Sequence, residues 1–105
     1  MTETNKPYTL GNWLVKEGNE QAFIEEWKAF ARWTASNQPG AGTGYLLQDP
    51  ERPQQFVSFG SWNDLEAIKA WRDRPEFKSF VEKVKRLCES FQPHTLRLVA
   101  TSEEG

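Results

Sequence analysis

Few side chains in this sequence could do chemistry, and their types narrow the options. Asn12 sits between Leu10 and Leu14. An amide on an apolar strand face needs partners, because burying one without hydrogen bonds costs about 2 kcal/mol or more. It could hold a guest, or be satisfied by backbone or water. Trp71 offers a flat indole for stacking on an aromatic molecule, or one more core ring in phase with Ile68. His94 is the only histidine. A neutral imidazole titrates near working pH and could serve as a general base, although its place just after Pro93 also suits a structural or exposed role. Tyr45 carries a phenol that could donate a proton or simply form part of a wall. Arg72, Arg74 and Arg97 could orient a phenolate or carboxylate, or be solvated or ion-paired. One histidine and one cysteine, Cys88, argue against a protein-ligated zinc or non-heme iron site and against an intrachain disulfide.

These residues must be positioned by short elements. Residues 8–16 alternate as a strand, with Tyr8, Leu10, Asn12 and Leu14 on one side and Thr9, Gly11, Trp13 and Val15 on the other. Phe23, Trp27, Phe30 and Thr34 then recur at helical spacing, predicting a helix from about Glu20 to Ser36. Gln38-Pro39-Gly40-Ala41-Gly42 ends it. Residues 43–49 and 55–62 read as two strands joined as a hairpin. Asn63, with Glu66 three residues on, predicts a capping box for the next helix. Pro75 interrupts that helix and can open its second segment. Phe77, Phe80, Val81, Val84, Leu87, Cys88 and Phe91 follow a 3.6-residue period, so the segment is expected to run to Gln92-Pro93. Cys88 would then be a buried apolar filler. Residues 94–101 read as a last strand. The order β-α-β-β-α-β is the ferredoxin-like pattern of the α+β class, a four-stranded antiparallel sheet with its helices on one face. One domain is expected over 1–105, with a core at about 8–101.

A sheet covered on one face normally alternates apolar and polar residues. Here both sides are apolar: Leu10 and Leu14 against Trp13 and Val15, Phe56 and Trp62 against Val57 and Phe59, Leu96 and Leu98 against Val99. The uncovered face would exceed what monomers usually expose. The expected cover is a second copy, sheet against sheet, in a homodimeric α+β barrel. Partial exposure at the rim is the plainer alternative.

The formal net charge of −2 comes from mixed acids and bases with no basic stripe, which argues against nucleic acid as a partner. No apolar run approaches the roughly 20 residues of a membrane helix. The first residues, Met1 to Pro7, are polar and lack the pattern of a secretory signal. A cytoplasmic setting is expected. The ends, residues 1–6 and 102–105, are expected to fray. The five Trp and seven Phe are a high aromatic content for an otherwise polar chain. They serve either a small core or a pocket for a flat ligand.

Several stretches together resemble the antibiotic biosynthesis monooxygenase family of dimeric α+β barrels. They are Asn12-Trp13 through Gly18, Phe23 with Trp27, Gly40 to Leu47, Phe56 to Trp62, and Trp71-Arg72 through Pro75-Glu76-Phe77. The resemblance runs from about Tyr8 to Ala100, and its most specific part is Trp62-Asn63-Asp64 leading to Trp71-Arg72-Asp73-Arg74-Pro75-Glu76-Phe77. It implies a pocket between sheet and helices, with Asn12 hydrogen-bonding substrate or dioxygen and Trp71 against the substrate ring. The base is left open between His94, Tyr45 and the substrate's own acidity. Trp27, Phe30, Tyr45, Phe77, Phe80 and Arg97 are candidate pocket residues, although aromatic stripes at helical spacing are most often core. The resemblance implies oxidation of a small aromatic, phenolic or quinol-type molecule with dioxygen as co-substrate and no cofactor. Heme-degrading relatives carry a histidine on the second helix about ten residues past the tryptophan. Here Ser79-Phe80-Val81 stands there, which argues against heme. Two other readings use the same fold: a module that binds a small ligand without reacting, and a dimerisation domain with a filled core.

Overall fold

The computed structural model describes residues 4–103. Residues 1–3 and 104–105, where fraying was expected, lie outside the described residues. The elements are β1 (Pro7–Val15), α1 (Glu20–Asn37), β2 (Ala41–Gln48), β3 (Gln55–Trp62), α2 (Leu65–Arg72), α3 (Pro75–Leu87) and β4 (Cys88–Arg97). All strand pairs are antiparallel, and the sheet order is β2-β3-β1-β4, the ferredoxin-like arrangement. No helix among the described residues is long and apolar enough to cross a membrane.

Register decides which side chains meet the helices. Trp13 lies opposite Phe56 on β3 and opposite Phe91 on β4, and Gly11 opposite Ser58 and Pro93. These inward positions carry the core: Trp13, Val15, Phe23, Phe56, Phe80, Val84 and Cys88 form one buried cluster. Phe23 of α1 is wholly buried, with its ring 5.1 Å from Trp13 and 5.0 Å from Phe56. Trp13 in turn stacks on Phe91 at 3.9 Å and 12°. The opposite set, Leu10, Asn12, Val57, Phe59, Tyr45, Leu47 and Leu96, faces away from the helices. Tyr45 and Leu47 are about half exposed, at 51% and 54%, and Tyr45 stacks on Phe59 at 5.2 Å. An apolar outer face is therefore present. Its aromatic rings are Tyr8, Tyr45 and Phe59, since Trp13 belongs to the core.

Three expectations about elements need correction. The cap of α2 is Asp64, whose Oδ1 accepts from the Ala67 N–H at 2.8 Å. The Asn63 N–H is instead donated to the Gly40 carbonyl at 2.9 Å, leaving the next residue to start the helix. That contact sits at the turn after α1, where Gly40 has φ +90°, a conformation that glycine adopts freely. Second, α3 stops at Leu87 rather than running to Gln92, and β4 begins at Cys88 rather than His94. Phe91 satisfies either period. As a strand residue it gains the Trp13 stack, and Cys88 pairs with Val15. Pro93 is tolerated because β4 is an edge strand. Third, β2 starts at Ala41, with a register shift between Ala41 and Gly44. The break at Pro75 falls where expected, with Pro75 in the first turn of α3.

Two outcomes are expected. Replacing Phe23 with Ala should cost about 3–5 kcal/mol, read from urea unfolding. Burial pushes the Cys88 thiol up to about 11, against a smaller opposing influence of Lys16. The folded state thus favours the neutral thiol. Its contribution is complete below the ordinary value of 9.0 and is lost as pH rises through about 11. Unfolding of wild type and Cys88→Ala should therefore converge over that window. A gap that stays constant with pH would refute this.

Candidate active site

Between the sheet and the helices lies a cavity of about 360 Å³, within the range of about 300–1,000 Å³ seen for small-molecule sites. Its floor is made of strand positions that carry little or no side chain. Gly11 of β1, Gly44 of β2 and Gly60 of β3 all line it, and Gly44 pairs with Gly60. Its roof is aromatic. Phe30 of α1 stacks on Phe80 of α3 at 4.2 Å and 6°. Trp71 of α2 lies 4.7 Å from Phe77 and 5.7 Å from Phe30. Trp27 stands over Gly44, where an added methyl would come to 3.6 Å from its ring.

Three indoles are fixed by hydroxyls in the cavity wall. Trp13 Nε1 donates to Ser58 Oγ at 3.0 Å. Trp62 Nε1 donates to Thr9 Oγ1 at 3.1 Å. Trp71 Nε1 donates to Thr34 Oγ1 at 3.0 Å. An indole N–H only donates, so a buried one needs an acceptor. Each hydroxyl that accepts keeps its own proton to give, and Thr9, Ser58 and Thr34 all line the cavity. The result is a largely apolar chamber whose lining includes three hydroxyls held by indoles, with Thr43, Ser61, Arg32 and Arg72 as its other polar residues.

The residues singled out from sequence divide sharply. Trp71, Trp27, Phe30, Phe77 and Phe80 come together around the cavity. Asn12, His94, Tyr45 and Arg97 do not line it. Asn12 pairs with Val57 and Gln92 on the outer face and is exposed. His94, opposite Leu10, is exposed on that same face, and so is Tyr45. Arg97 is exposed at the end of β4, opposite Pro7. The reason is strand alternation. With Trp13 turned inward, its neighbour Asn12 must turn outward. Arg74 is occupied elsewhere: Nη1 donates to Gln38 Oε1 at 3.0 Å, Nε meets Glu76 at 3.3 Å, and its guanidinium lies 5.0 Å from the Trp33 ring centre. Arg72 does line the cavity. Thr9, Ser58, Thr34 and the glycine floor were missed. Glycine inside a strand often marks a close approach by a ligand or another chain, and that signal was there at Gly11, Gly44 and Gly60.

No Asp, Glu, His or Lys lines the cavity among the described residues. Nor do the described residues contain a group of three or more His, Cys, Asp or Glu placed to hold a metal ion.

The family described as antibiotic biosynthesis monooxygenase matches residues 9–83. A variant of SnoaB from Streptomyces nogalater, a cofactor-independent oxygenase, is similar with 19% identity and a TM-score of 0.86, over 95% of this chain and 99% of that one. Protein SO0527 from Shewanella oneidensis is similar with 18% identity and a TM-score of 0.82, over 93% of this chain and 96% of that one. A conserved protein from Methanosarcina mazei Go1 has 16% identity and a TM-score of 0.82, over 90% and 94%. At these identities the likeness is one of fold. A search of curated proteins gave no match.

Replacing Ser58 with Ala should strand the Trp13 N–H and cost about 1–3 kcal/mol in chemical unfolding. In a Trp13→Phe background the same change should cost clearly less, because the pair is already broken. Equal costs in both backgrounds would show that the hydrogen bond contributes nothing.

Proposed function

The chain belongs to the antibiotic biosynthesis monooxygenase family, and from that premise we propose that it is a cofactor-independent monooxygenase acting on a small, electron-rich aromatic, phenolic or quinol-type molecule. The single observation carrying this reading is the chamber itself, with a glycine floor, an aromatic roof and fixed hydroxyls in its wall. A flat ring would lie on the floor, with Trp71, Phe30 and Phe77 closing over it and Trp27 at its side. The SnoaB structure, described as that of a cofactor-independent oxygenase, supports the assignment.

The chemistry would draw its electrons from the substrate. Loss of a proton gives an enolate or phenolate that reduces dioxygen. On an anthrone the methylene carbon becomes a carbonyl, one oxygen atom enters the product and the other leaves as water. The chain's part is to exclude water, hold the ring and stabilise negative charge as it develops. The hydroxyls of Thr9, Ser58 and Thr34 are the donors for that purpose, since each is held by an indole and keeps a proton to give. Asn12 and His94 stand on the outer face, so the reading does not depend on them as orienting group or base. With no carboxylate or imidazole in the lining, proton loss rests on the substrate's own acidity and on stabilisation of the resulting anion.

The same reading takes the chain as a homodimer through the outer sheet face, where Tyr45, Leu47, Phe59 and Leu96 form the apolar patch, in a reducing cytoplasm where Cys88 stays a thiol. Sedimentation should give twice the 12.2 kDa chain mass, and Leu47→Asp should shift it toward one.

The experiment is oxygen uptake with dithranol, an anthrone, by metal-free protein in the presence of a chelator. Uptake above the uncatalysed rate is expected, and Trp71→Ala should lower it by at least about tenfold, a barrier change near 1.4 kcal/mol. Thermal stabilisation by dithranol without oxygen uptake would instead favour the non-reacting ligand-binding module, the reading that the missing base supports.

A further inference from the structure

The cavity wall is apolar and hydroxylic except at two points, and both are cationic. Arg32 on α1 and Arg72 on α2 are the charged residues that line it. The chain as a whole is net acidic, at −2, so this local sign is opposite to the global one. Several other cations on the helices are paired. Arg74 has Glu76 and Gln38, and Lys28 and Lys83 have Glu25 and Glu26. Arg32 and Arg72 have neither an ion pair nor a hydrogen-bonded partner among the described residues. Arg72 is only partly exposed, and burial alone pushes its guanidinium below the ordinary value. A guanidinium stays charged in proteins, so removing part of its water without supplying an anion is costly. A guest that brings the anion would remove that cost.

We propose that the molecule this site takes carries an anionic group, a carboxylate or phenolate beside its aromatic ring, gripped by Arg72 with Arg32 completing the cationic edge. The inference rests on the reading of the chamber as a ligand site and narrows it from an aromatic guest to an aromatic anion. Arg72 directly follows Trp71, so one stretch of α2 supplies both the stacking surface and the charge. Guanidinium and carboxylate match as planar forks with two parallel hydrogen bonds. The ring would therefore be fixed in the plane of the floor as well as held against it.

The test uses 2-naphthoate and its neutral isostere 2-naphthamide at pH 7, titrated by quenching of tryptophan fluorescence. Naphthoate should bind about tenfold more tightly than naphthamide, and its advantage should shrink as salt is raised. In Arg72→Gln the affinity ratio should fall toward one, and Arg72→Lys should restore part of it. Arg32→Gln, on a more exposed side chain, provides a second reading of the ratio if Arg72→Gln fails to fold. Equal binding of the two probes by the wild type would overturn the anion preference while leaving the ring-binding chamber standing. A preference that survives in both arginine variants would overturn the assignment of these two residues. Binding of neither probe would overturn both the anion inference and the reading of the chamber as a site for a small aromatic.

Discussion

The cavity exists because the sheet lacks side chains where the helices would otherwise close on it. Cores pack to the density of organic crystals, and aromatic stripes on α1 and α3 would ordinarily descend onto a strand surface until no space remained. Gly44 and Gly60 raise no side chain to meet them, and at Gly11 the neighbouring Trp13, Phe91 and Ser58 close over the backbone instead. The helices are held off instead by large residues on either side. On one side Trp13, Phe23 and Phe56 form the solid core. On the other Trp62 and Trp71 meet at 4.8 Å. The room left between sheet and helices is thus bounded by packed aromatic contacts, with Trp27 lying against Gly44 at its edge.

Hydroxyl and indole partnership adds rigidity to that arrangement. Each of the three pairs joins two elements: Trp13 to Ser58 ties β1 to β3, Trp62 to Thr9 ties β3 to β1, and Trp71 to Thr34 ties α2 to α1. Apolar contact alone is non-directional and would let the rings rotate. A hydrogen bond at one edge of each indole fixes its plane. These three indoles are therefore held in orientation by the chain's own hydroxyls.

Much of this was legible in the sequence, and the failures have physical causes. Helical periodicity located Phe23, Trp27 and Phe30 on α1 and Phe77 and Phe80 on α3, because one stripe has one face to bury. Pro75 marked the helix break through its own covalent geometry. Strand alternation was equally visible, but alternation does not say which face turns inward when both are apolar. The resemblance carried Asn12 to the pocket, and the register carried it to the outer face with His94 and Tyr45. The end of α3 was misread because Cys88 and Phe91 fit a helical period, while the ring that competes for Phe91 lies on β1. The hydroxyls of Ser58 and Thr34 looked ordinary until folding brought an indole to each.

The two borders of the sheet are poorly suited to accept another strand. β4 carries Pro93, which has no amide hydrogen to donate, and β2 slips out of even register between Ala41 and Gly44. Interruptions of this kind protect strand borders against the lateral stacking that leads to fibres. The sheet is thereby closed to sideways growth while its broad outer surface remains apolar. Were two copies to meet face-on, the assembly would be finite once a single two-fold axis is satisfied, unlike the open-ended addition that a regular, unpaired border invites.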